Sequence, residues 1–143
     1  MNEKSLKTIE LEMAVLIRRV NSITSNRNPE NLVRSAYLLL HQLSLKGSAG
    51  VKTLAEELQL DISTVSRQAA SLEQKGYVAK VPSPLDKRSY FYEITDVGAT
   101  ELRKYKQARF EKISKLLHDW DEEEHENFGK LLKKFNDALK GEI

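Results

Sequence analysis

The sequence contains no cysteine, and that absence closes several routes at once. It rules out a disulfide, a zinc–thiolate site and a thiol redox switch. No apolar run is long enough to span a bilayer. The opening Met1-Asn2-Glu3-Lys4 is polar and passes into an amphipathic pattern, which is not how a signal peptide is organised. These features predict a cytoplasmic protein with no membrane partner. There is no Gly-rich phosphate loop and no nucleophile with a paired base, so no catalytic set emerges and no cofactor is expected. Internal repeats and low-complexity tracts are also missing. Nor is there much charge of one sign: 23 basic residues against 21 acidic leave a formal net charge of +2. So small an excess does not by itself imply nucleic acid. That inference has to come from where the charges sit.

What is present looks like a globular chain: 143 residues, 40% hydrophobic and 31% charged. That suits one compact domain with helical extensions and is too apolar for disorder. Leu6, Ile9, Met13, Leu16, Val20 and Ile23 recur at spacings of three and four. This is the seam of a helix that packs along another helix. Asn26, Asn28 and Pro29 end it. A second helix is predicted over about residues 30–46, with Leu32, Ala36, Leu39, Leu40 and Leu43 on one face, and the run Lys46–Gly50 closes it.

Two short helical patterns follow. Val51, Leu54, Ala55 and Leu58 form one apolar face, and Ile62, Val65, Ala69 and Leu72 the other, across a tight Gln59-Leu60-Asp61 connection. Gly76 is placed as a left-handed cap. Period-two segments at Tyr77–Val81 and Ser89–Ile94 then read as a β-hairpin with a charged tip held by Pro82 and Pro84. Thr95 is the predicted N-cap of a long helix running through Leu102, Tyr105, Arg109, Ile113, Leu116 and Leu117. Asp121 and Glu124 have capping-box spacing at the start of a last helix, whose face is Phe128, Leu131, Leu132, Phe135 and Leu139. The order is four helices, a hairpin, then two helices.

Two short helices joined by a three- or four-residue turn form the helix-turn-helix pattern. With Ile62, Val65, Ala69 and Leu72 pointing inward, the opposite face of the second helix carries Ser63, Thr64, Arg67, Ala70 and Ser71, with Ser66 and Gln68 on its flanks. This face is small, polar and singly basic, and acid first enters at Glu73. Small side chains let the backbone sit deep in a major groove. Hydroxyls and the helix start suit phosphates, while Arg67 and Gln68 have the donor geometry for base edges. A plain solvated face is the alternative, and it more often carries Glu and Lys. At the hairpin tip, Lys87 and Arg88 suit the narrow, negative minor groove. Asp86 beside them fits if its carboxylate holds the Arg88 guanidinium in one orientation. An ordinary charged turn is the alternative for the tip.

The stretch from Val51 to Gly98 resembles the winged helix of the MarR-type (multiple-antibiotic-resistance) regulators. The matching residues are Leu54-Ala55, Leu58, Ser63-Thr64-Val65-Ser66-Arg67, Leu72, Lys75-Gly76-Tyr77-Val78, Lys80, Pro84, Asp86, Arg88, Ile94-Thr95 and Gly98. Lys80 and Ala70 depart from the family's usual arginine and acidic residue. The resemblance implies a mainly α fold with a small β-hairpin wing. Residues 30–95 would be the winged helix-turn-helix DNA-binding region, and residues 1–29 and 96–143 a helical dimerisation region.

It further implies a homodimer acting on a pseudo-palindromic double-stranded operator, more often as a repressor, and a small-molecule effector bound between the dimer helices and the DNA-binding part. Tyr37, His41, Tyr105 and Trp120 are the candidate lining of such a cavity, although aromatics at helical spacing also serve as core. No metal is expected. His118, Glu122 and His125 look like ligands by type, but Trp120-Asp121 breaks the helix between them. The competing function is a winged-helix adaptor whose charged wing meets a protein partner.

Overall fold

Leu39, Leu40 and Leu43 are completely buried, and the domain is built around the helix that carries them. The computed structural model describes residues 2–24 and 36–142. These fall in two compact units, Met1–Ser35 and Ala36–Ile143. Asn26, Asn28, Pro29, Leu32, the Ile23 side chain and the predicted start of the second helix lie outside the described residues.

In the first unit, α1 spans Glu3–Thr24. Asn2 Oδ1 accepts from the Ser5 N–H at 3.1 Å, satisfying one of the amide donors left over at a helix start. Leu6, Ile9, Leu16 and Val20 of the predicted seam are all exposed.

In the second unit, α2 (Tyr37–Lys46) leads through Gly47, at φ 88°, into the two-residue strand β1 (Ser48–Ala49). The helix-turn-helix pair is α3 (Val51–Leu58) and α4 (Ile62–Gln74). The wing is β2 (Val78–Pro82) and β3 (Tyr90–Ile94). Then come α5 (Asp96–Leu116) and α6 (Glu122–Lys140). Six helices are thus present among the described residues, in the expected order. The sheet is antiparallel with strand order β1-β3-β2. Its third strand, β1, was not expected from the sequence; it pairs Ser48 with Glu93 and Ala49 with Tyr92.

Ala36, just before α2, and Leu39, Leu40 and Leu43 within it pack with Leu54, Ala55, Val65, Ala69, Leu72, Val78, Tyr92 and Leu102 in one core. Each fully buried leucine is worth about 1.5–3 kcal/mol of transfer free energy. Leu102 places the first turns of α5 in this core. Val65, Ala69 and Leu72 face inward as the periodicity predicts, but Ile62 is 52% exposed. The reason is its position: it is the first helical residue after the cap at Asp61, one turn short of the core.

Helix α4 ends in a Schellman motif. Gly76 has φ 82°, its N–H donates to the Glu73 carbonyl at 2.9 Å, and the Tyr77 N–H donates to the Leu72 carbonyl at 2.9 Å. That use of Tyr77 is why β2 starts one residue later than the alternation suggests. Thr95 then joins this corner to α5. Its hydroxyl donates to the Gly76 carbonyl at 2.6 Å and accepts from the Gly98 N–H at 3.0 Å. The expected capping box of α6 also forms, with Glu124 N–H to Asp121 Oδ1 at 2.8 Å and Asp121 N–H to Glu124 Oε1 at 3.1 Å.

Candidate nucleic-acid interface

The turn before α4 is tight although it contains no glycine. Gln59 takes a left-handed φ of 55°, and the Leu60 N–H closes onto the Ala55 carbonyl at 3.0 Å. The Gln59 side chain is also anchored, donating from Nε2 to the Lys140 carbonyl at 3.1 Å. Behind the pair, Glu57 of α3 accepts from Gln42 at 3.1 Å and pairs with Lys46 at 3.1 Å, tying α3 to α2.

With its inner face buried, α4 presents Ser63, Ser66, Arg67 and Ala70 to solvent, and leaves Thr64, Gln68 and Ser71 half-buried beside them. Arg67 is the cation of this face. Among the described residues, it enters no ion pair.

The start of α4 carries a feature that sequence reasoning missed. Asp61 caps the helix, its Oδ2 accepting from the Thr64 N–H at 3.2 Å. It also accepts from the Thr64 hydroxyl, at 2.7 Å, and from the Ser63 hydroxyl. Those bonds, Ser63's first and Thr64's next, hold the carboxyl down at about 2, so it is anionic at any working pH. By residue type the helix start and these hydroxyls suit phosphate. A carboxylate already occupies that end, and both hydroxyl protons are committed to it. The available signal was Asp at the position just before the helical pattern, which is the N-cap preference.

The wing is tied to the reading helix at its root. Lys80 of β2 lies 3.8 Å from Glu73 of α4 and 4.5 Å from the ring centre of Tyr90 on β3. Beside it Tyr92 is buried, and burial first, then Tyr90 and Glu73, pushes its hydroxyl up to about 12. At the tip the Ser83 N–H donates to the Ser89 carbonyl at 3.2 Å and the Ser89 N–H to the Asp86 carbonyl at 3.1 Å. The Leu85 N–H reaches Ser83 Oγ at 3.2 Å. Held on this turn are Asp86, Lys87 and Arg88. The Arg88 N–H donates to Asp86 Oδ1 at 3.0 Å, and its Nε lies 3.6 Å from the same oxygen, with the Arg88 side chain 93% exposed.

The four aromatic candidates separate. Tyr37 and His41 of α2 stack at 6.1 Å, and Tyr37 meets Tyr105 of α5 at 4.9 Å. Arg109, not singled out from the sequence as a site residue, completes this group. Its guanidinium lies 5.6 Å from each tyrosine ring and donates to the Tyr105 hydroxyl at 3.3 Å. The i,i+4 spacing from Tyr105 was the signal. His41 Nδ1 is buried without a hydrogen-bond partner among the described residues, and burial, then the charge of Lys106, lowers its pKa. Trp120 stands apart, stacked on His125 at 6.4 Å and packed on Phe128 at 5.3 Å. His118 and His125 are used locally, with His118 Nδ1 3.1 Å from the Lys115 carbonyl and His125 Nε2 2.8 Å from the Leu117 carbonyl.

A helix-turn-helix whose second helix exposes a small, singly basic face, followed by a wing with two cations at its tip, defines the winged helix-turn-helix class of DNA-binding proteins. The chain belongs to the MarR family of transcription regulators, whose pattern its residues 32–90 match. It is 42% identical over 139 residues to the HTH-type transcriptional regulator YxaD of Bacillus subtilis (strain 168), spanning 96% of this chain and 97% of that protein. The HTH-type transcriptional regulator MhqR of the same organism is 28% identical over 138 residues, spanning 94% and 92%.

The solved structure of a MarR family protein from Bacillus stearothermophilus superposes with a TM-score of 0.73 at 18% identity, over 98% of this chain and 99% of that one. The transcriptional regulator BldR from Sulfolobus solfataricus gives 0.73 at 22% identity over the same shares. The last two establish the shared fold. No helix among the described residues is long and apolar enough to cross a membrane.

Proposed function

We propose that this chain is a cytoplasmic homodimeric repressor that reads a pseudo-palindromic operator through α4 and the wing. The observation that carries the reading is the pairing of two cationic elements on one compact unit. Arg67 is exposed on α4 and in no ion pair among the described residues, and Lys87 and Arg88 stand at a braced wing tip whose root meets α4 where Lys80 lies 3.8 Å from Glu73. Arg67 suits guanine O6 and N7 in the major groove, with Ser66, Gln68 and Ser71 beside it. Arg88 suits the minor groove.

The dimer is supported by apolar faces exposed among the described residues of each unit: Leu6, Ile9, Leu16 and Val20 on α1, and Phe128, Leu132, Phe135 and Leu139 on α6. So much exposed apolar surface marks a partner interface. A symmetric, self-complementary contact is the usual solution. Release from DNA is assigned to a small ligand acting at the Tyr37–His41–Tyr105 group between α2 and α5, with Trp120 outside it.

Gel-shift titration tests the proposal. A palindromic duplex selected by the protein should bind far more tightly than a scrambled one and shift as a complex of two chains. Weak, sequence-blind binding would instead favour a protein partner for the wing.

A further inference from the structure

The hydrogen bonds around Asp61 fix a property of the reading helix that residue type leaves open. Serine and threonine hydroxyls serve either donor or acceptor bases, because the proton rotates to suit. Here the rotation is taken away. An ionised carboxylate only accepts, so the Ser63 hydroxyl must donate its single proton to Asp61 Oδ2, and the Thr64 hydroxyl must donate its own to Oδ1, at 2.7 Å. What each oxygen has left for an outside partner is lone pairs. Asp61 stays ionised because its carboxyl is held at about 2, so the arrangement does not relax at neutral pH.

We propose that Asp61 is a positioning residue that makes Ser63 and Thr64 obligate acceptors. This end of α4 then selects a base with an exocyclic amino group, adenine or cytosine, on the contacted strand. The inference rests on α4 being the DNA-reading helix. In the major groove the amino donors are adenine N6 and cytosine N4, whereas guanine O6 and N7 and thymine O4 only accept. Phosphate also only accepts, so the same two hydroxyls are unsuited to the backbone. Arg67, four residues after Ser63 on the same face, has the opposite polarity, being a pure donor. The helix therefore carries acceptors at its start and a donor one turn later. Each half-site is accordingly assigned an amino base at one position and a guanine at another.

The test is selection of bound duplexes from a random pool with wild type, Asp61→Asn, Ser63→Ala and Thr64→Ala, each checked for folding by a circular-dichroism melt. Asparagine keeps the cap on the Thr64 N–H, but its amide donates, so one hydroxyl is released to turn its proton outward. In the wild-type motif, exchanging the amino base for its carbonyl counterpart (adenine to guanine, or cytosine to thymine) is expected to weaken binding about fivefold or more. In Asp61→Asn that preference falls to within about twofold or inverts, while the position read by Arg67 is unchanged. Ser63→Ala or Thr64→Ala erases it with the carboxylate left in place, and these two variants decide the matter if Asp61→Asn does not fold.

Selection of guanine or thymine at the position these variants disturb overturns the inference. So does a motif that none of these variants changes while a parallel selection with Arg67→Ala does change it. A wild-type protein that enriches no motif overturns the reading of α4 itself, and this inference with it.

Discussion

Asp86 and Arg88 meet twice through one oxygen: Asp86 Oδ1 accepts the Arg88 backbone N–H at 3.0 Å and lies 3.6 Å from the Arg88 Nε. An ion pair this exposed adds little stability. Its effect is to bias where an otherwise free guanidinium points. Arg88→Ala is expected to weaken binding across many sequences and to reduce the salt slope by about one unit. Asp86→Ala should reproduce this more mildly, since it frees the guanidinium without removing it. Salt-dependent titrations check both, and tighter binding by Asp86→Ala would mean that the carboxylate merely repels phosphate.

Arg67→Ala should behave differently from the wing variants. It is expected to cost about 1–3 kcal/mol on the preferred duplex and to relax preference at one position per half-site. Titrating a panel of single-base operator variants measures this. A uniform loss over all sequences would make Arg67 a phosphate contact.

Gly98 marks the joint between the winged helix and α5. A Cβ there would lie 2.0 Å from the Tyr77 carbonyl oxygen, backbone that cannot swing aside. Gly98→Ala is therefore expected to lower stability by about 3 kcal/mol, the upper end of the range for overpacking. Urea unfolding checks it, and an unchanged midpoint would contradict the packing at this corner.

His41 ties stability to pH. Burial, then Lys106, lowers its pKa from 6.5, so the unfolded chain takes up this proton more readily than the folded one. The contribution is complete above 6.5 and is lost as pH falls from there through the folded value. His41→Phe keeps a ring against Tyr37 and cannot be protonated. The melting temperature of wild type should fall relative to the variant between about pH 7.5 and 5.5. A constant difference would show that His41 is not shielded.

Most of the fold was legible because each helix carries a face of apolar residues at helical spacing. Leu39, Leu40 and Leu43, or Val65, Ala69 and Leu72, can be placed without knowing their partners. Strand β1 was not, since Ser48-Ala49 is too short to show alternation and exists through its register with Tyr92 and Glu93. Ile62 misled because periodicity assigns a face but not where along the helix the core begins. At the site, Arg67, Lys87, Arg88 and the Asp86–Arg88 contact follow from residue type and position. The Asp61 network and Arg109 over two tyrosines depend on side-chain geometry that spacing only hints at.

Assembly is open to a direct check. Light scattering at micromolar concentration should give the mass of two chains, and removing residues 121–143 should abolish the dimer or its solubility, because the Phe128–Leu139 face goes with them. A monomeric full-length chain would contradict the proposed interface.

The measurement closest to the central claim is selection of bound duplexes from a random pool by the wild-type protein. A symmetric dimer carrying two copies of α4 and the wing should enrich a pseudo-palindrome with half-sites about one helical turn, roughly 10 base pairs, apart. Enrichment of no motif, or of a single unpaired half-site, would contradict it.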